Sequence, residues 1–124
     1  MGDTETEVLA LRRGLEIARR EISRGEIDDP MRAVLIFSRK LGASLARAGD
    51  FSDADGILRE SLDLAAPTSP DRAKILGALA HVSYGRKRYD EALARLEQAI
   101  LAAKQAGSES LRDTLEETKS AWTR

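Results

Sequence analysis

The sequence predicts an all-α fold of about six helices, paired as antiparallel helix-turn-helix hairpins. Three observations carry that expectation. Apolar residues recur at helical spacing, as in Val34, Phe37, Leu41 and Leu45. One and the same interval separates Phe51 from Tyr89, Ala54 from Ala92, and Leu58 from Leu96. A constant offset of that size is the mark of a helical solenoid built from repeats. Composition agrees, since 42% of the 124 residues are apolar but only 4% aromatic. Abundant alanine and leucine suit closely packed helices better than a sheet core.

Taken in order, Thr4 with Glu7 three places later spells a capping box before Val8, Leu11, Leu15 and Ile22, which predicts a helix over 4–24. Residues 25–30 read as a loop, and Asp28-Asp29-Pro30 opens a second helix reaching about Ala48. Its inward face is expected to be Val34, Phe37, Leu41, Leu45 and Ala48. Gly49-Asp50-Phe51 makes a tight turn into an acidic helix running to Ala66, with Ala54 and Ser61 as small contact residues and Ile57, Leu58, Leu62 and Leu64 supplying burial. Pro67 stops that helix and Pro70 starts the fourth, whose inward residues are Leu76, Leu79 and Ser83. A fifth runs from Asp90 to Ala106 on Ala92, Leu96, Ala99, Ile100 and Ala103, and Gly107 closes it. The last helix, within 108–122, has the thin apolar set Leu111, Leu115 and Ala121, as a terminal cap needs. The single domain 1–124 then divides into a preceding or capping helix at 4–24, repeats at 30–66 and 70–106, and a capping helix at 108–122.

Leu11 to Ala18 echoes Leu58 to Ala65, so the first helix reads as the second helix of a repeat whose first helix is missing. Either the chain is a piece of a longer array, the preferred reading, or this helix is a natural cap. An open end of that kind is expected to expose Leu11, Leu15 and Ala18 to another copy, which makes self-association an alternative function.

The spacing Ser38-x2-Leu41-Gly42-x2-Leu45 with Ala54-x3-Leu58, repeated as Leu76-x2-Leu79-Ala80-x2-Ser83 with Ala92-x3-Leu96, resembles the tetratricopeptide repeat. The resemblance covers about Ile36 to Lys104 and departs at the aromatic positions. It implies a short right-handed superhelix in which the first helix of each pair lines a concave groove. Carried over by position, Arg39, Lys40, Ala43 and Arg47, then Lys74, Ala78, His81 and Tyr84, would face that groove. Stretches of this Ala, Leu and Arg-rich kind look like those attached to bacterial transcription regulators and Ser/Thr kinases.

Little in the chain could do chemistry. With one histidine and no cysteine, thiolate metal sites and most nucleophile constellations are excluded, and no glycine-rich loop follows a strand. No enzyme activity, metal or cofactor is expected. The amino terminus lacks a signal-peptide layout and no apolar run approaches a membrane span, so a cytoplasmic setting without membrane contact is expected.

Charge, near neutral at −1 for the whole chain, divides between helices. The second carries Arg32, Arg39, Lys40 and Arg47 without an acid, whereas the third sets Asp53, Asp55, Glu60 and Asp63 against Arg59. The fourth and its turn repeat the basic pattern through Arg72, Lys74, Arg86, Lys87 and Arg88. Arginine grips carboxylates bidentately, and alanine between cations leaves room for a ligand backbone, so an acidic protein segment is the favoured partner. Two alternatives stay open. The cations could balance the acids of the neighbouring helix, or hold single-stranded nucleic acid, disfavoured because only Tyr84 and Tyr89 lie near for stacking. Trp122 is expected to anchor the last helix.

Overall fold

The computed structural model describes residues 3–24 and 30–124 and forms helices α1 (Asp3–Arg24), α2 (Pro30–Arg47), α3 (Phe51–Leu64), α4 (Pro70–Gly85), α5 (Tyr89–Gln105) and α6 (Glu109–Trp122). Among the described residues there is no strand. Of the expected loop at 25–30, residues 25–29 lie outside them, and Pro30 begins α2.

The hairpin turns follow one backbone pattern. After α2, the Asp50 amide donates to the Leu45 carbonyl and Gly49 takes φ 86°. At the equivalent place after α4, the Arg88 amide donates to the Ser83 carbonyl and Lys87 takes φ 64°. The same bond recurs after α5, from Ser108 to Ala103 around Gly107 at φ 72°. In each, a residue in the left-handed region satisfies carbonyls that the helix end leaves open. Glycine adopts that conformation at no steric cost, whereas Lys87 does so against its own Cβ. α4 starts on Pro70 behind Ser69, whose hydroxyl accepts from the Arg72 amide at 3.3 Å.

The chain divides into two compact units, Met1–Leu64 and Ala65–Arg124. In the first, α2 packs against both α1 and α3. Val34, Leu41, Leu45, Ala54 and Leu58 are buried there. Close approach is enforced by small residues: a Cβ on Gly42 would stand 2.6 Å from Leu58 Cγ, and one on Gly14 2.6 Å from the Phe37 ring. In the second unit α4, α5 and α6 all meet one another, around Leu76, Leu79, Ala92, Leu96, Ala99, Ala103 and Leu115. α4 is buried around more of its circumference than expected, because Ile75, Gly77 and Val82 join Leu76, Leu79 and Ser83.

Several local expectations are corrected. Thr4 and Glu7 form no capping box: α1 already starts at Asp3, and the Glu7 carboxylate is held by Ser44 and Arg47 of α2 instead. Together they give the Glu7 carboxylate two hydrogen bonds, one of them an ion pair, in place of the single amide bond of a capping box. Leu15 and Ala18 are buried, at 4% and 2% exposure, and Leu11 is half-buried, so they do not form an open apolar face. Among the described residues of α1, Leu9 and Ile17 are exposed large apolar side chains. Leu64 ends α3 with its side chain out, and Ala48 belongs to the turn beyond α2 and is exposed. Ala121 is exposed too, since α6 turns the adjacent Trp122 toward α4.

Candidate partner-binding surfaces

α2 keeps one stripe accessible. Ile36, Arg39 and Ala43 are half-buried and Lys40 and Arg47 exposed. At 100° per residue these fall within a single quadrant or little more of the helix. Among the described residues no hydrogen bond or ion pair engages Arg39 or Lys40. Arg47 is held: its Nη2 donates to Glu7 Oε1 at 2.7 Å and to Ser44 Oγ at 2.9 Å. The buried Ser44 hydroxyl donates to the same Glu7 oxygen at 2.6 Å. That hydroxyl, followed by Arg47, holds the Glu7 carboxyl below its usual range, against partial desolvation. Arg47 is thus preset at the α1–α2 junction, and the acid beside it comes from α1.

Two further ion pairs lie in the first unit. Arg19 of α1 meets Glu60 of α3 at 3.2 Å, and Arg59 meets Asp55 within α3 at 2.6 Å. All are solvent-facing on at least one side, a setting in which such pairs contribute about 0 to 1 kcal/mol.

In the second unit the accessible stripe of α4 changes character. Lys74 and Ala78 are half-buried, His81 and Tyr84 exposed. The two rings join two more. Tyr84 stacks on Trp122 with centroids 4.4 Å apart and planes 11° from parallel. His81 meets Trp122 edge-on at 5.1 Å, and Tyr84 meets Tyr89 edge-on at 5.2 Å. Partial burial in this cluster lowers the His81 pKa from its ordinary value, favouring the neutral ring. Beneath the cluster, the buried Ser83 hydroxyl donates to Glu91 Oε2 at 2.9 Å and accepts from Arg95 Nη1 at 2.7 Å. Arg95 Nη1 also donates to the Leu79 carbonyl at 3.2 Å, clamping α5 onto α4.

Each unit thus gathers its own share of the residues expected along the groove: Arg39, Lys40, Ala43 and Arg47 on α2, and Lys74, Ala78, His81 and Tyr84 on α4. Sequence reasoning missed the place of Trp122 and Tyr89 in the ring cluster. A signal was present, because Trp122 follows Tyr84 by the same interval that separates Leu58 from Leu96. Leu115 follows Gly77 by that interval too, and a Cβ on Gly77 would meet Leu115 Cδ2 at 3.1 Å. α6 therefore stands against α4 in the register of a first helix of a third copy.

No helix among the described residues is long and apolar enough to cross a membrane. No match was found to a curated protein or to a solved structure. The family model described as tetratricopeptide repeat matches residues 33–105, more than half of the 124. With all-α hairpins repeating at a fixed offset over that span, the chain belongs to the tetratricopeptide repeat family, whose repeats generally mediate protein-protein interaction.

Proposed function

We propose that this chain is a non-catalytic scaffold that holds an acidic protein segment along the accessible faces of its first helices. One observation carries the reading. Arg39 and Lys40 stand on a partly open stripe of α2 with no partner among the described residues, and Ala43 between them and Arg47 leaves room for a backbone. Arg47 adds a third cation once an incoming carboxylate competes with Glu7 for its guanidinium. Lys74, Ala78, His81 and Tyr84 offer a second strip on α4. Such a module fits within a larger bacterial regulatory or signalling protein in the cytoplasm, with the whole chain acting as one helical-repeat domain. No cofactor takes part.

Isothermal titration with a short poly-glutamate peptide tests this. The double variant Arg39→Glu with Lys40→Glu is expected to weaken binding at least about tenfold, each exposed charge reversal acting through short-range Coulomb terms, while the helical circular dichroism is unchanged. Equal affinity for the two proteins would remove the proposal. Arg47 is left in place because reversing it would set two carboxylates together at Glu7 and disturb α1.

A further inference from the structure

Both tyrosines, the only tryptophan and the only histidine of the chain meet in one surface cluster. That concentration is not needed to fill a core: Tyr84 is 38% exposed, Tyr89 51%, and Trp122 half-exposed. The core of this unit is aliphatic, and the rings lie outside it at the end where α4 stops, α5 starts and α6 stops. Between the last residue of α4 and the first of α5 stands Arg86-Lys87-Arg88. Lys87 and Arg88 share a shallow recess with Tyr89, Asp90 and Glu91. The Glu91 carboxylate accepts from buried Ser83.

We propose that the ring cluster of His81, Tyr84, Tyr89 and Trp122 is an anchor site for an aromatic side chain of an acidic partner segment, whose carboxylates meet the Arg86-Lys87-Arg88 turn. This rests on the acidic-segment reading above and adds to it a second chemical requirement on the partner. Aromatic pairs gain beyond their buried area. The cations next to the rings supply the charge complementarity that selects acidic flanks. Single-stranded nucleic acid fits less well. Tyr84 and Trp122 already lie plane to plane, so a base could enter between them only by breaking that stack.

The only tryptophan makes the site its own reporter. Four probes are titrated while Trp122 fluorescence is followed: a poly-glutamate peptide, the same peptide with a central phenylalanine, a polyglutamine peptide with that phenylalanine, and oligothymidine. The phenylalanine-bearing glutamate peptide is expected to bind about tenfold tighter than poly-glutamate, in line with an aromatic contact near the upper end of its usual range, and to shift the Trp122 emission. Tyr89→Ala is expected to remove most of that advantage and leave poly-glutamate affinity as it was. Tyr89 opens α5 with half its surface in solvent, so its loss leaves the fold intact. Equal affinity of the two glutamate peptides overturns the anchor and spares the acidic reading. Equal affinity of the glutamine and glutamate versions overturns the acidic selection and spares the anchor. No binding by any peptide overturns both, as does Tyr89-dependent binding of oligothymidine in their place.

Discussion

Hairpins α2–α3 and α4–α5 write one backbone twice at a constant offset, and position by position they resolve the same contacts differently. Where the first hairpin has Gly42 beneath Leu58, the second has Ala80 at the place facing Leu96, all four buried. Where the first has Ser61, whose hydroxyl is buried without a hydrogen-bond partner among the described residues, the second has Ala99. The turns reverse the order: Gly49 is relaxed in the first and Lys87 carries a positive φ in the second. The interior of the second hairpin is better satisfied than that of the first, and its turn is worse. The outer faces differ most, with cations along α2 and rings at the end of α4. Packing fixes which positions must be small, and the accessible stripe is where the two copies are free to diverge.

That comparison can be broken at single positions. The largest effect is expected at Gly42→Ala. Its Cβ would press on buried Leu58 within 2.6 Å, and the displacement outweighs the better helix propensity of alanine, for a net loss of about 1–2 kcal/mol. Thermal unfolding followed by circular dichroism should show a midpoint several degrees lower. A higher midpoint would mean that the first hairpin accommodates a Cβ at this position as the second does at Ala80. Next comes the exchange of Ser61 and Ala99. Ser61→Ala should gain about 1 kcal/mol by removing an unsatisfied buried hydroxyl, and Ala99→Ser should lose a similar amount, both read by denaturant unfolding. Smallest is Lys87→Gly, expected to stabilise by about 0.5 kcal/mol because glycine relieves the left-handed strain but loosens the unfolded chain. A loss there would show that the Lys87 side chain makes a contact worth more than its backbone strain.

Much of this was legible beforehand because repetition leaves a record in the sequence. The helix pairs, the Gly49 and Gly107 stops and the Pro70 start followed from local rules that hold with little help from tertiary context. The Thr4 and Glu7 pair misled, since a partner from a neighbouring helix outcompeted the local cap. The open face expected at Leu15 and Ala18 was misjudged for a related reason: helical periodicity says which residues share a face, and α2 occupies that one. The ring cluster needed contacts between α4 and α6, which spacing within either helix does not reveal. Extending the repeat offset by one more copy would have paired Tyr84 with Trp122.

Amide chemical-shift mapping with the poly-glutamate peptide tests the central claim most directly. Peptide-dependent shifts are expected along the α2 stripe at Arg39, Lys40 and Ala43, with the α3 residues Asp53, Glu60 and Asp63 unmoved. Shifts confined to α3, or spread without preference over both helices, would contradict the assignment of partner binding to the first helix of the pair.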